Sequence, residues 1–235
     1  MSVKFCSGLD LGQAADFSCL VIIQKEVVNL EPEPQNSVDR EAFKMMAAGC
    51  MRVPQGMSVI DMCPKPPPKT ETRYSLRYLK RGVLGSSYPA IVRHVSEIFS
   101  KPPLEGSTLA IDLTGVGRPI FDLFREAKPH CKLMPISITA GQESRPNELG
   151  GFNVPKKDLV GALQRLLQTR RLKVAKSLPE AAQLVRELEN FRIRITANAN
   201  EQYEAWRQNI HDDMVLAAAI CCWVFERGQK QFWIR

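Results

Sequence analysis

At 235 residues, with 44% apolar and 24% charged side chains, the chain has an ordinary globular composition and length enough for one large domain or two small ones. Its net charge of +7 fits a polyanionic partner without requiring one. No apolar run of about 18 residues occurs, which excludes a helical membrane span, and "MSVKFCSGLD" lacks the apolar core of a secretory leader. The seven cysteines therefore read as reduced thiols in a cytosol. Cys50 and Cys63 have no histidine nearby and read as free thiols rather than a zinc site. Cys221 and Cys222 are adjacent in a helical pattern, so only one is expected to face the core.

In chain order, Phe5–Leu11 and Ser18–Val28 read as strands joined by the turn-prone "GQAAD". The stretch at about 31–72 is rich in proline and reads as a long insertion, with a short helical pattern around Glu41–Ala48. Tyr74–Val83 reads as a third strand, and "SSYPAIVRHVSEIF" places Ile91, Val95, Ile98 and Phe99 at helical spacing. "TLAIDL" is a short buried strand. "GRPIFDLFREA" is a helix with Pro119 in its first turn. "KLMPISIT" is a strand, and "AGQESRPNELGGFNVP" is a polar loop. "KKDLVGALQRLLQTRRL" and "LPEAAQLVRELENF" are amphipathic helices, "FRIRIT" alternates as a half-exposed strand does, and "DDMVLAAAICCWVFER" is a closing helix. Strands first, then strand–helix alternation, predict a mixed sheet with helices on both faces. One domain carrying an insertion is expected.

Three acidic positions stand in apolar surroundings: Asp10, Asp112 and the pair Asp212–Asp213. Strand alternation puts Cys6, Gly8 and Asp10 on one face, and Ala110 with Asp112 on one face of "LAIDL". The neighbours of each aspartate are small, so a helix can approach closely. The closing helix offers "AAA" (217–219), and its apolar stripe, with Leu216, Ala217 and Ile220, carries Asp213 toward the other two acids. Carboxylates brought together repel, so their pKa values rise or a divalent metal neutralises them. Hard oxygen ligands select Mg²⁺ or Mn²⁺, and two such ions about 3.5–4 Å apart are a standard device for phosphodiester cleavage. Plainer readings stay open. Asp10 can bond its own turn, Asp112 can form an Asx-turn with "TGVG", and Asp212 can be a helix N-cap.

The ordered set "GLDLGQAADFSCLVI", "YLKRGVLGSSYPAIVRHV", "LAIDLTGVGRPIFDLF", "GGFNVPKKDLVGALQRLLQTRRLKVA" and "HDDMVLAAAICCW" resembles the nuclease domain of phage terminase large subunits. The resemblance covers most of the chain outside the insertion. It implies an RNase H-like (retroviral integrase superfamily) α/β fold. The expected core is a mixed five-stranded sheet, its first three strands antiparallel and its fourth and fifth parallel to the first, flanked by helices. It implies metal-dependent DNA endonuclease activity with two Mg²⁺ or Mn²⁺ ions during viral genome packaging in the cytoplasm of a bacterial host. Asp10, Asp112 and Asp213 would be the catalytic acids and metal ligands, with Asp212 an adjacent ligand and Asp16 and His211 accessory groups. Lys156, Lys157, Arg118, Arg192 and Arg194 would contact DNA, the last two as a basic ridge. Double-stranded DNA is the implied substrate, and a packaging ATPase, portal or small terminase subunit the implied protein partners. No G-x-x-x-x-G-K-[ST] phosphate loop occurs, so no packaging ATPase domain is expected within the chain. The alternatives are a Holliday-junction resolvase or RNase H-type nuclease on the same fold, a non-catalytic DNA-packaging module, and, on the loose match of "LDLGQAADFS", an actin-like ATPase.

Overall fold

A computed structural model describes residues 3–12, 17–30, 70–115, 118–195, 201–205 and 212–227. Apolar runs at the start of the chain form β1 (Val3–Asp10) and β2 (Cys19–Asn29), an antiparallel pair in register from Val3↔Glu26 to Asp10↔Cys19. Then come β3 (Thr70–Arg81), α1 (Tyr88–Phe99), β4 (Thr108–Asp112), α2 (Arg118–Ala127) and β5 (Lys132–Thr139). Two short strands follow, β6 (Arg145–Pro146) and β7 (Phe152–Pro155), and then α3 (Lys156–Gln168), β8 (Leu172–Val174) and α4 (Ala181–Asn190). The last elements are β9 (Phe191–Ile195), β10 (Glu201–Ala205) and α5 (Asp213–Glu226).

Among the described residues, eight strands form one mixed sheet in the order β6-β7-β5-β4-β1-β2-β3-β8, and β9 pairs with β10 in a separate antiparallel ribbon. β4 runs parallel to both β1 and β5, which is the arrangement the family resemblance implies for the centre. The strand count differs. β7 is parallel to β5, β6 is antiparallel to β7, and β8 is parallel to β3, so three short strands extend the expected five. β6 and β7 lie in what reads as a polar loop, because strands of two and four residues are too short to show a period. β8 begins at Leu172, the last residue of the helical pattern "KKDLVGALQRLLQTRRL". Arg170, at φ 56°, takes the left-handed conformation that ends α3, and Arg171 N–H bonds back to the Leu166 carbonyl at 2.9 Å. Helices usually mark such a stop with glycine, and this one does not.

The sheet has a core on each face. On one face Leu9, Leu20, Leu109 and Ile111 pack with Val92, Val95 and Phe99 of α1 and Ile120, Phe121 and Phe124 of α2. On the other, Cys6, Val21, Ile23, Tyr74 and Ala110 pack beneath α3, α4 and α5. Helix α5 is enclosed, with the sheet on one side and α3 and α4 on the other. Cys221 and Cys222 are consequently both fully buried, which corrects the expectation that only one would be. Cys6, Cys19, Cys131, Cys221 and Cys222 are free thiols.

The chain divides into two compact units, one of residues 27–72 with Met1 and one of residues 2–26 and 73–235. Residues 31–69, most of the proline-rich segment, lie outside the described residues. Among the described residues no helix is long and apolar enough to cross a membrane.

Candidate functional site

The register of three elements assembles the site. β1 and β4 are parallel neighbours with Gly8 beside Ala110 and Leu9 beside Ile111. One more step along both strands sets Asp10 beside Asp112, on adjacent strands roughly 4.8 Å apart. α5 crosses the same face. A methyl group on Gly8 would lie 2.1 Å from the Ala217 carbonyl oxygen, so only glycine permits this approach. The Cys221 thiol donates to the Cys6 carbonyl at 3.4 Å. Residues 6 and 8 thus lie under 221 and 217. Two strand residues advance about 6.6 Å and four helix residues about 6.0 Å, so the next step of the same match brings Asp10 toward Asp213. The small neighbours noted in the sequence, Gly8 and the "AAA" of the helix, are what let this happen.

The electrostatics follow from that placement. Asp10 is half-buried at its strand end, and its pKa lies well above the ordinary carboxylate value. Burial is the main cause, reinforced by repulsion from Asp112, Asp213 and Asp212, with Lys156 pulling the other way. Asp112 is buried and pushed up to about 6, chiefly by desolvation, while hydrogen bonds from Thr114 and the charge of Lys156 oppose the rise. Thr114 N–H donates to Asp112 Oδ1 at 2.8 Å, so this residue makes its turn as well as facing the other acids. Cys19 is paired with Asp10 across β1 and β2; burial first, then Asp10 and Asp213, push its thiol well up and keep it neutral.

The two acids at the head of α5 are turned to different cations. Lys156 Nζ reaches Asp212 Oδ2 at 3.1 Å and lies 5.6 Å from the centre of the Phe191 ring. Arg81 Nη2 lies 3.3 Å from Asp213 Oδ2. The same guanidinium pairs closely with Glu187 and stacks 4.8 Å from the Phe17 ring centre. Asp212 occupies the N-cap position, but its side chain makes no cap hydrogen bond. The capping acceptor is Glu187 of α4, whose Oε2 takes the Met214 N–H at 3.2 Å. Glu180 likewise accepts the Arg81 N–H at 2.8 Å.

Among the described residues, no three His, Cys, Asp or Glu side chains form a cluster that grips an ion as they stand. The donor chemistry nevertheless suits a hard divalent cation. The groups are all carboxylates, their repulsion adds to the burial that raises Asp10, and among the described residues the cations beside them are Arg81 and Lys156.

The remaining expected residues fall elsewhere. Lys157 donates to Gln142, whereas Lys156 reaches Asp212. Arg118 is exposed at the beginning of α2. Arg192 and Arg194 belong to β9, outside the main sheet. Asp16 and His211 lie outside the described residues. Sequence reading missed Arg81, Glu180 and Glu187. One signal was present for Glu187. It shares the buried stripe of α4 with Ala181 and Leu184 and is itself 2% exposed, and a carboxylate at a core position needs a partner.

No protein-family model matches the sequence, and no curated protein matches it either. Solved structures do. The large terminase nuclease from thermophilic phage G20c aligns over 93% of this chain and 81% of its own, at TM-score 0.55 and 17% identity. The Thermus phage P74-26 large terminase nuclease domain aligns over 93% and 78%, at 0.53 and 16%. The nuclease domain of the large terminase subunit gp2 of bacterial virus Sf6 aligns over 95% and 88%, at 0.52 and 12%. The chain therefore has the α/β fold of phage large terminase nuclease domains.

Proposed function

We propose that the chain is a divalent-metal-dependent endonuclease of the large terminase type that hydrolyses phosphodiester bonds of double-stranded DNA during phage genome packaging, in the host cytoplasm. In this reading residues 1–235 form one RNase H-like domain with an insertion at about 31–72, working with a packaging ATPase, a portal or a small terminase subunit. The observation that carries the proposal is the meeting of Asp10, Asp112 and Asp213, from two parallel strands and one helix, with Asp212 beside them and a raised Asp10 pKa at their centre.

Asp10, Asp112 and Asp213 would hold two Mg²⁺ or Mn²⁺ ions, with Asp212 as an additional ligand. When bound, such ions supply the positive charge that makes water nucleophilic near neutral pH and stabilises the departing oxygen. The chain's own contribution is placement. β1 and β4 are central strands and α5 is enclosed in the core, so the carboxylates are held on rigid elements. Lys156, whose ammonium lies beside Asp212, would meet a scissile phosphate. Lys157, Arg118, Arg192 and Arg194 would contact the DNA backbone, whose binding then weakens as salt rises. Asp16 and His211 are accessory candidates.

The test is nicking of supercoiled plasmid in Mn²⁺ or Mg²⁺ by the parent, Asp10→Ala and Asp112→Ala. Loss of metal-dependent nicking in both variants is expected. Cleavage that survives in both, or in excess chelator, overturns the mechanism. Parallel reactions on linear duplex, four-way junction and RNA–DNA hybrid separate the terminase reading from a resolvase or RNase H-type enzyme.

A further inference from the structure

Arg81 stands where an arginine beside acidic residues would ordinarily be assigned to a substrate phosphate, but its surroundings give it another job. Its side chain is only 15% exposed. The guanidinium is held by Glu187, faces Asp213 at 3.3 Å and lies over the Phe17 ring, and the backbone N–H of the same residue is taken by Glu180. A guanidinium this buried, held by Glu187 and facing Asp213, is turned away from DNA. Glu187 is equally committed, accepting from Arg81, from the Met214 N–H at the head of α5 and from Gln183. The three elements β3, α4 and α5 therefore meet in a chain of alternating charge: Glu187, Arg81, Asp213.

We infer that Arg81 is a tethered counter-cation for Asp213 that competes with divalent ions for the acid cluster, and that Glu187 sets how strongly it competes. This rests on the reading above that the acids hold divalent ions. Like charges at contact distance repel strongly in a poorly solvated site. An arginine facing a ligand carboxylate therefore opposes the incoming ion, and a carboxylate on the far side of that arginine offsets part of the opposition. The pair keeps Asp213 compensated when no ion is bound and weakens binding when one is. Both are positioning residues, since neither is assigned a contact with substrate.

A double-mutant cycle read by calorimetric titration of Mn²⁺ into the purified chain tests this directly. Arg81→Gln is expected to bind Mn²⁺ at least about fivefold more tightly than the parent, and Glu187→Gln at least about fivefold more weakly, because each leaves the other's charge uncompensated. The double variant should fall between them, and Arg81→Lys, which keeps the charge, should stay near the parent. If Arg81 instead serves only to fix Asp213 or glue the elements together, Arg81→Gln binds Mn²⁺ no more tightly, or more weakly, and the inference is overturned. Should Arg81→Gln not fold, the isosteric Glu187→Gln decides: unchanged or tighter binding rejects the idea. Asp213→Asn separates this failure from that of the nuclease reading. If the parent binds Mn²⁺ and Asp213→Asn does not, the site stands and only the regulation is in question; if the parent takes up no Mn²⁺ at all, both fall.

Discussion

The two ends of α5 use the same chemistry in opposite proportions. At its C-terminal end one buried carboxylate, Glu226, is surrounded by donors: Tyr74 Oη at 2.6 Å, Arg165 at 3.4 Å and Arg171 at 3.5 Å. Lys25 lies close by, 5.7 Å from the ring centres of both Tyr74 and Phe225. At the N-terminal end four aspartates, Asp10, Asp112, Asp212 and Asp213, share two cations, Arg81 and Lys156. Among the described residues, cations outnumber the acid at one end and acids outnumber the cations at the other. A buried charge that is fully partnered reads as architecture, whereas an excess of one sign, maintained in a core that could have been built without it, reads as a place kept for something of the opposite sign.

The largest effect should come from removing an acid at the N-terminal end. Asp10→Ala or Asp112→Ala is expected to lower metal-dependent nicking by at least about a hundredfold, whereas Glu226→Gln at the other end should leave the Mn²⁺ titration unchanged. Equal loss from all three would dissolve the distinction between the ends.

The next is a dependence of stability on pH. Asp112 has a folded-state pKa of about 6 against 3.8 for the free side chain, and Asp10 is raised as well. The folded state therefore holds protons more tightly than the unfolded one. The stability this contributes is complete below about pH 4 and is lost as pH rises through 6, on the order of 3 kcal/mol for Asp112 alone. Urea unfolding in metal-free buffer between pH 4 and 7 should show the decline, and Asp112→Asn should flatten it. A stability that climbs over this range would contradict the burial of the acids, and with it their crowding.

Gly8 offers a sharper mechanical test. With the Ala217 carbonyl 2.1 Å from where its side chain would begin, Gly8→Ala must push α5 off β1. A loss of about 1–3 kcal/mol is expected in denaturant unfolding, together with weaker Mn²⁺ binding, since Asp213 moves with the helix. The smallest effect belongs to the balanced end. Tyr74→Phe removes the hydroxyl that donates to Glu226 and should cost about 1–2 kcal/mol of stability with no change at the acids.

Much of this was legible from residues alone, and for stated reasons. Gly8 and Ala110, small residues beside aspartates on alternating strands, announced that a helix would come close, and the order of apolar runs announced a mixed sheet, while the central strand order was implied by the family resemblance. What stayed hidden was non-local or unmarked. Arg81 and Glu187 are 106 positions apart, and each sits in an unremarkable charged context, "YLKRG" and "VRELEN". Only the fold brings β3 and α4 together. The left-handed Arg170 hid the end of α3 because no glycine marked it, and with it β8. The burial of both Cys221 and Cys222 required knowing that α3 and α4 cover the outer side of α5.

That enclosure has a kinetic corollary. A segment walled in on all sides has nowhere to slide, and its amides open to solvent only when the whole domain does. Deuterium uptake along Met214–Trp223 should accordingly be the slowest in the molecule, tracking global unfolding. A partner that switches this chain on or off would then have to work through surface loops and long side chains, leaving the central rod where it is.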